Sequence, residues 1–260
     1  SALYEWFQQR DTVVKDQIAQ AGFSSATTTA LSDKGILERA IPAVVPCDRV
    51  AVLREAPMML NDEQAVAVGA VTLGQFDTYL LEGVTGSGKT EVYLQLIAKV
   101  LQRGEQALVL VPEIGLTPQT VARFERRFQC PVSVLHSGLA DGERFVAWRA
   151  ASRGEAGVII GTRSALFTPL ARLGIVIVDE EHDSSFKQQD SFRYSARDLA
   201  VLRGRQENIP VVLGSATPSL ETLHNAIHDR YRYLRLTQRA GNARAPVLEV
   251  LDIHHQPLTE

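Results

Sequence analysis

The sequence contains few of the features that build secreted or membrane-spanning proteins. Only two cysteines occur in 260 residues, Cys47 and Cys130, too few for a disulfide framework or a metal site of four cysteines. The longest uncharged apolar runs, such as residues 107–112 and 173–178, are far shorter than the ~20 residues of a membrane-spanning helix. The first residues lack the basic and apolar stretches of a secretory signal. These absences predict a protein of the reducing cytoplasm without a membrane segment.

The charge of the chain argues against a protein that coats nucleic acid with its whole surface, because the formal net charge is -3 at pH 7. Basic residues are nevertheless concentrated in two segments. Residues 187–205 contain five basic and two acidic side chains, and residues 230–244 contain five arginines and no acidic residue. Charge alone leaves two interpretations open. The basic segments are either solvated surface, as helix faces and a loop, or they contact nucleic acid.

The first 40 residues predict a small domain. Three segments have the composition of short helices: residues 2–10, 12–21 and 25–34. Gly22 ends the second segment, and Ser24 or Ser25 caps the third. A short strand at residues 36–39 completes the order expected of a winged-helix domain. Because its basic residues are offset by acidic neighbours, a packing or docking module is the alternative to a DNA reader. Residues 41–59, with three prolines, are interpreted as a linker.

From residue 60 to residue 260 short apolar runs alternate with helical segments. Six strands are predicted, at residues 79–82, 107–112, 132–135, 157–161, 174–179 and 210–215. Five helices are predicted, at residues 91–103, 118–128, 141–152, 195–207 and 219–226. The strands are nearly continuous Val, Ile and Leu, as expected when helices cover both faces of a parallel sheet. The sequence therefore predicts an α/β domain that binds ligands at the carboxyl ends of its strands.

A glycine-rich segment follows the first predicted strand of this domain. Residues 83–90 fit the pattern G-x-x-x-x-G-K-[ST] and precede a predicted helix. The glycines let backbone N–H groups face phosphate oxygens, and the helix N-terminus adds positive potential. Lys89 is predicted to contact the β- and γ-phosphates, and the Thr90 hydroxyl to be a ligand of Mg²⁺. A dinucleotide fingerprint would need glycine at position 91, where the chain has glutamate. The predicted ATP-binding residues of the loop are Gly86, Ser87, Gly88, Lys89 and Thr90.

The second half of such a site is expected at the end of another apolar strand. Residues 175–178 are apolar and lead directly into Asp179 and Glu180. Asp179 is predicted to hold Mg²⁺, usually through water, and Glu180 to orient and deprotonate the attacking water. With Lys89 these carboxylates form the predicted catalytic group. An acidic run after a strand is more often a solvated turn, so this prediction depends on the phosphate loop upstream.

With these motifs the chain resembles superfamily 2 helicases, and further segments follow in that family's order. Gln64, in Leu-Asn-Asp-Glu-Gln, resembles the glutamine that reads adenine. Residues 110–114 and 161–164 resemble the two motifs that hold the DNA backbone, and residues 214–218 resemble the Ser-Ala-Thr motif that links hydrolysis to movement. The resemblance implies a RecA-like P-loop NTPase lobe at residues 60–260. It also implies DNA-binding or coupling roles for Pro112, Thr162, Arg163, His182, Ser215 and Thr217.

Residues 86–93, 110–120 and 179–189 are similar to the primosomal replication-restart helicases. This resemblance implies a monomeric cytoplasmic enzyme that uses ATP and Mg²⁺, moves 3′ to 5′ on branched and single-stranded DNA, and binds single-strand DNA-binding protein and other primosome proteins. It also implies a DNA 3′-end-binding domain before residue 1, and a second lobe with an arginine finger and two zinc ions after residue 260. The chain alone is therefore expected to bind nucleotide weakly, to hydrolyse ATP very slowly and to unwind nothing.

An aromatic and basic segment lies between the acidic strand end and the Ser-Ala-Thr motif. Residues 185–194 interleave Phe and Tyr with Lys and Arg, which suits stacking on single-stranded bases. The resemblance implies a loop that senses DNA, and we expect Lys187, Phe192 and Arg193 to face it. The alternative is that the aromatics pack the loop against the sheet, and the side taken by Phe186 is open.

Two other functions are compatible with the sequence. One is a superfamily 2 motor that acts on RNA or on a different DNA substrate. The other is a non-catalytic module that docks DNA or proteins. Replacement of Lys89 separates the second from a motor, because only a nucleotide-binding lobe would lose affinity for Mg·ATP.

Overall fold

The computed structural model describes residues 18, 21–34, 36, 52–190 and 192–240. The chain divides into two compact units, Ser1–Ala43 and Val44–Glu260. In the first unit, helix α1 (Ser25–Asp33) begins after Ser24, whose hydroxyl accepts a hydrogen bond from the backbone N–H of Thr27. This confirms the third predicted helix. The other predicted elements of residues 1–40 lie almost entirely outside the described residues, as do residues 41–51 of the predicted linker, so the winged-helix assignment and the domain bounds stay predictions.

The second unit is an α/β domain in which strands and helices alternate. Its helices are α2 (Asp62–Ala70), α3 (Lys89–Gln102), α4 (Pro118–Arg127), α5 (Asp141–Ser152), α6 (Ala196–Glu207) and α7 (Leu220–Ile227). Its strands are β1 (Thr78–Gly83), β2 (Gln106–Leu110), β3 (Val132–Leu135), β4 (Val158–Gly161), β5 (Leu173–Asp179), β6 (Lys187–Gln188), β7 (Tyr194–Ser195), β8 (Val211–Ser215) and β9 (Arg232–Leu236). Seven of them form one sheet with the order β3-β4-β2-β5-β8-β1-β9, and its pairings are parallel. The predicted parallel α/β fold is confirmed.

Helices cover both faces of this sheet. Successive side chains of a strand point to opposite faces, so one buried strand contributes to two apolar clusters. On β2, Ala107 and Val109 belong to one buried cluster and Leu108 and Leu110 to another. The first cluster contains apolar side chains of α2, α3 and α4, and the second contains alanines of α5 and α6. Among the helices that the structure describes, none is long and apolar enough to cross a bilayer.

Helix α2 and strand β9 are absent from the sequence-based interpretation, as are the two-residue strands β6 and β7. Helix α2 was not predicted as a helix, because its sequence is apolar on several sides and has no single stripe. Its N-terminus is nevertheless marked by a capping box in which Asn61 and Gln64 exchange hydrogen bonds. The interpretation of the arginine-rich run as a surface loop is wrong for Arg232–Leu236, which pairs with β1 as an edge strand. Charged side chains are common on edge strands, where they oppose association with other sheets.

Part of the segment interpreted as a linker packs against the α/β domain. Val52 is buried in the first cluster, and Leu53 forms an antiparallel bridge with Phe128. The backbone N–H of Arg54 donates to the carbonyl of Arg127 at 2.9 Å. Residues 52–54 are thereby joined to the C-terminal end of helix α4.

Gly214 on β8 is required by the packing of Tyr93. A Cβ at this position would overlap the hydroxyl oxygen of Tyr93, whose ring is buried on α3. Gly69 on α2 provides a contrast, because a Cβ there would meet no atom within 4 Å. The two glycines therefore stand in opposite steric surroundings.

Gly214→Ala is expected to lower the free energy of unfolding by about 1–3 kcal/mol, because the tyrosine ring must move. Gly69→Ala is the control, and it is expected to leave stability unchanged or to raise it by up to ~1 kcal/mol, because alanine favours helix. Urea unfolding followed by circular dichroism measures both. Equal stabilities of the two variants would contradict the close packing at Gly214.

Candidate functional site

The phosphate loop, residues 83–90, connects β1 to α3 at the carboxyl end of the sheet. Gly86 and Gly88 have φ angles of 82° and 81°, which glycine adopts without strain. Gly88 must also be small, since a Cβ there would overlap the side-chain amide of Gln64. Helix α3 begins at Lys89, so its unpaired N–H groups and its positive end lie at the loop. The loop therefore has the backbone form that cradles phosphate.

Lys89 lies between the loop and the acidic strand end. Its Nζ donates to the Gly83 carbonyl at 2.9 Å and is 3.9 Å from Oε1 of Glu180. The side chain is mostly buried, so this attraction is less screened than one on the surface. Ser87 is also buried, and its hydroxyl has no hydrogen-bond partner within the described residues. The loop thus holds one cation close to Glu180 and one buried hydroxyl without a hydrogen-bond partner among the described residues.

Asp179 and Glu180 stand at the end of β5, in the middle of the sheet. The Tyr93 hydroxyl donates to Oδ1 of Asp179 at 2.9 Å. Burial raises the pKa of Asp179; the Tyr93 hydrogen bond lowers it, the charge of Glu180 raises it and that of Lys89 lowers it, with a net rise. Burial also raises the pKa of Tyr93 well above its ordinary value, so its hydroxyl keeps the proton that it donates. Glu180 has a φ of 49°, a backbone conformation that is uncommon outside glycine and often found at functional sites.

The oxygens at this position fit Mg²⁺. Thr90, Asp179 and Glu180, whose side chains end in oxygen atoms, line one cavity of about 410 Å³. Mg²⁺ prefers oxygen ligands, and it is usually held by one or two protein groups together with water and substrate phosphates. Thr90 and Asp179 supply two such groups beside the phosphate loop. The donor set therefore suits a cation that arrives with a nucleotide.

Gln64 lies beside the phosphate loop. Its Nε2 donates to the Ser87 carbonyl at 2.7 Å, and its Oε1 accepts from the backbone N–H of Asn61 at 3.0 Å. The bond to the Ser87 carbonyl uses one of the two Nε2 hydrogens, and Gln64 is buried. The side chain thus links the start of α2 to the loop. Its reading of adenine stays a prediction.

The Ser-Ala-Thr segment contacts the acidic strand end through His182. His182 Nδ1 is 2.8 Å from Ser215 Oγ and 3.7 Å from Oε2 of Glu180. His182 Nε2 is 3.4 Å from Thr217 Oγ1, and the Thr217 N–H donates to Ser215 Oγ at 2.9 Å. These contacts join the two segments to which the sequence assigned hydrolysis and movement.

The remaining predicted residues follow the carboxyl ends of β2 and β4. Pro112 lines the cavity with Thr90 and Asp179. Thr162 is buried and precedes a short 3₁₀ helix, Arg163–Phe167. Arg163 donates to the carbonyls of Ser185 and Lys187 at 3.0 and 3.1 Å. Its guanidinium therefore supports the aromatic segment, an arrangement that the sequence did not predict.

The aromatic segment forms a small hairpin in which β6 pairs with β7. Phe192 is 73% exposed, with its ring 5.9 Å from that of Tyr194. Tyr194 in turn makes an edge contact with Phe167, which is 55% exposed. Phe186 is buried in the second cluster, so packing accounts for this residue. The structure thus separates the internal Phe186 from a row in which Phe192 and Phe167 are exposed and Tyr194, between them, is partly buried.

Lys187 and Arg193 are both exposed on this hairpin. Lys187 Nζ is 3.9 Å from Oε1 of Glu221, and Arg193 Nε donates to the Gln189 carbonyl at 3.1 Å. Exposed pairs of this kind contribute little to stability, so the two cations can exchange their present contacts for phosphate. Their contact with DNA stays a prediction.

Two buried ion pairs near the site were missed by sequence reasoning. Glu91 forms a bidentate pair with Arg127, with N–O distances of 2.9 and 2.6 Å, which ties α3 to α4. Glu181 binds Arg197 at 3.3 Å and also accepts hydrogen bonds from the start of α7. Both acids adjoin predicted site residues, but nothing in the sequence identifies their partners. Neither pair lines the cavity that Thr90, Asp179 and Glu180 share.

The contact of the Tyr93 hydroxyl with Asp179 and the contacts of Glu63 were also not predicted from the sequence. Tyr93 was interpreted as part of an apolar stripe, which accounts for its ring and not for its hydroxyl. Glu63 accepts from the backbone N–H groups of Thr237 and Gln238 at 2.7 and 3.0 Å. The Ala240 N–H then donates to the Gly86 carbonyl at 2.8 Å. The segment after β9 therefore passes beside the phosphate loop.

Asp179→Asn is expected to raise the free energy of unfolding of the metal-free chain at pH 7, because burial disfavours the charged carboxylate. A raised pKa means that the folded chain keeps a proton over a pH range in which the unfolded chain has lost it. The cost of the charge is therefore full above the folded pKa and absent below the ordinary value of 3.8.

The gain in stability from Asp179→Asn should therefore be largest at pH 7 and should shrink as the pH falls. Urea unfolding at several pH values, with EDTA present, measures this gain. Asp141→Asn is the control, because the Asp141 side chain is fully exposed and its replacement should not stabilise the chain. Destabilisation by Asp179→Asn at pH 7 would be the contrary result.

Known proteins resemble this chain at the level of sequence. The replication restart protein PriA of Haemophilus influenzae is 49% identical over 242 residues, which are 90% of this chain and 33% of that protein. PriA of Bacillus subtilis is 44% identical over 239 residues, which are 90% of this chain and 30% of that protein. The chain thus spans about a third of the length of these curated relatives.

Solved structures resemble it at the level of fold. The Hef helicase domain of Pyrococcus furiosus superimposes with a TM-score of 0.53 at 21% identity, over 72% of this chain and 39% of that chain. RecG bound to a three-way DNA junction superimposes with a TM-score of 0.51 at 21% identity, over 74% of this chain and 25% of that chain. The α/β domain is therefore of the RecA-like type found in helicases.

The family relationship follows from the region that contains the site. The model of the DEAD/DEAH box helicase family matches residues 61–226. This region includes the phosphate loop, the acidic end of β5, the aromatic hairpin and the Ser-Ala-Thr segment. The chain belongs to the DEAD/DEAH box helicase family.

Proposed function

We propose that this chain is the nucleotide-binding lobe of an ATP-driven DNA helicase that acts in replication restart. One observation carries the proposal: Lys89 Nζ lies 3.9 Å from Glu180 Oε1, where the phosphate loop and the acidic strand end meet. The name shared by relatives that are 44% and 49% identical supports the process of replication restart. Helicase activity requires parts beyond the third of those proteins that the chain spans.

The residues of the site are proposed to divide the chemistry among them. Backbone N–H groups of the phosphate loop and the Lys89 ammonium bind the phosphates of ATP. Thr90 and Asp179 hold Mg²⁺, which supplies positive charge against the charge that develops on the transferring phosphate. Glu180 orients the attacking water and accepts its proton. Gln64 reads adenine.

A second group of residues is proposed to couple this chemistry to DNA. His182 lies between Glu180 and the pair Ser215 and Thr217, so a change at the phosphate can reach the Ser-Ala-Thr segment through hydrogen bonds. Pro112, Thr162 and Arg163 lie at neighbouring strand ends, where the DNA backbone would bind. On the hairpin, Phe192 stacks on a base while Lys187 and Arg193 attract the phosphates.

Other properties are proposed from the resemblance of the motifs to those of replication-restart helicases. They are a second lobe that completes the site with an arginine finger, zinc ions in that part of the protein, movement 3′ to 5′ on forked and single-stranded DNA, and contacts with single-strand DNA-binding protein and other primosome proteins. A cytoplasmic monomer is proposed as well. Without the second lobe the chain should hydrolyse ATP very slowly, since an arginine finger contributes about 10³- to 10⁵-fold in rate.

Lys89→Ala is expected to weaken binding of Mg·ATP by about 10- to 100-fold, because a hydrogen bond from a charged group to phosphate is lost. A fluorescent ATP analogue titrated into this chain measures the affinity. Lys99→Ala is the control, since Lys99 lies on the same helix and its Nζ donates to the Val68 carbonyl at 3.0 Å. A non-catalytic docking module would bind nucleotide equally poorly before and after either replacement.

Phe192→Ala is expected to weaken binding of a single-stranded DNA oligonucleotide by about 5- to 150-fold, since stacking on one base contributes ~1–3 kcal/mol. Phe145→Ala is the control, because Phe145 is an exposed phenylalanine on α5, away from the hairpin. Fluorescence anisotropy with DNA and RNA of the same sequence measures both. Equal losses for the two variants would refute the stacking role, and tighter binding of RNA would favour an RNA motor.

A further inference from the structure

Tyr93 joins the two elements that carry the proposed metal ligands. It follows Thr90 by three residues on α3, so both side chains occupy one face of the helix. Both line the same cavity as Asp179 and Glu180. The Tyr93 hydroxyl spans the remaining gap, since it donates to Oδ1 of Asp179 at 2.9 Å. One side chain thus connects the helix of Thr90 to the strand end of Asp179.

The packing around Tyr93 leaves its hydroxyl little freedom. Its ring is buried in the first cluster, with 1% of the residue exposed. Asp179 is the parallel register partner of Gly214, and the hydroxyl occupies the space that a side chain at Gly214 would fill. Strand β8 therefore provides an open position beside the carboxylate, and α3 fills it with a hydrogen-bond donor. The contact is built by three elements.

The hydrogen bond distinguishes the two oxygens of Asp179. Oδ1 accepts from Tyr93, so the plane of the carboxylate is held by a rigid aromatic side chain. Oδ2 is the oxygen that this bond leaves for another partner. A carboxylate held in one orientation loses less rotational freedom when it binds a cation, and supporting hydrogen bonds of this kind commonly tune metal affinity.

We infer that Tyr93 is a positioning residue for the divalent cation: it holds Asp179 relative to Thr90 so that Oδ2 faces the metal of Mg·nucleotide. The inference rests on the proposed nucleotide-binding function. Tyr93 acts through Asp179 and touches neither nucleotide nor cation. Its replacement should therefore change the requirement for Mg²⁺ and leave metal-independent binding of nucleotide unchanged.

The test compares two buried tyrosines in this chain. Tyr93→Phe should raise the Mg²⁺ concentration for half-maximal binding of a fluorescent ADP analogue by about 5- to 20-fold, because a hydrogen bond to a charged group is removed. Binding in EDTA should stay the same. Tyr79→Phe is the matched control, since Tyr79 is also a buried tyrosine and its hydroxyl accepts from the Thr72 N–H at 3.1 Å; it lies on β1, away from the carboxylates. It should not change the Mg²⁺ requirement.

A double-mutant cycle with Asp179→Asn tests whether Tyr93 acts through Asp179. In that background Tyr93→Phe should add less than a twofold change. A full effect of Tyr93→Phe without the carboxylate, or equal Mg²⁺ curves for Tyr93→Phe and Tyr79→Phe, would overturn the inference while leaving the proposed function in place. If the parent chain shows no Mg²⁺-dependent nucleotide binding, the proposed function fails and this inference fails with it. Gly214→Ala, which forces the hydroxyl to move, is a second variant and should also raise the Mg²⁺ requirement.

Discussion

Parallel pairing of the central strands is the constraint on which the site depends. In a parallel sheet all the carboxyl ends lie on one edge, and here β5, β8 and β1 are adjacent in that order. The acidic pair, the Ser-Ala-Thr segment and the phosphate loop follow these three strands. The phosphate loop and the carboxylate pair are about 90 residues apart in sequence, and the order of the parallel strands brings them together. Reversal of any one strand would move its segment to the opposite edge.

Buried polar pairs make this edge rigid. Glu91 with Arg127 fixes α3 against α4, and Glu181 with Arg197 fixes the acidic turn against α6. Loss of one partner from such a pair typically costs about 3–5 kcal/mol, because the other charge stays buried and unpaired. The elements that carry Thr90 and Glu180 are thus held by ion pairs whose residues do not line the cavity. Rigid supports of this kind keep reactive groups in place before a ligand binds.

The reactive groups themselves are in less favourable surroundings. Burial raises the pKa of Asp179, Glu180 has a positive φ, and the Ser87 hydroxyl has no partner among the described residues. Each feature opposes folding stability, and all three lie on the phosphate loop or the acidic strand end. Strain and unpaired polar groups are expected at functional sites, where stability and activity compete.

The sequence by itself determined the local elements and the motifs of this protein. The predicted helix at residues 141–152 matches α5 residue for residue, and every predicted strand lies within two residues of a strand in the sheet. Glycine spacing and apolar runs predict the bounds of local elements, because the backbone conformation of a short segment depends on a few neighbouring residues. Strand β9 was missed because an edge strand does not need the apolar run that marks a buried one.

Only the tertiary structure decided how distant side chains meet. The hydroxyl of Tyr93 on Asp179, the guanidinium of Arg163 on the hairpin and the burial of Phe186 each depend on the register of separate strands and on the face to which a side chain points. Periodicity assigns a residue to a face but does not name its partner across the sheet. For that reason the sequence located the carboxylates and the phosphate loop, whereas the contacts that hold them together required the folded chain.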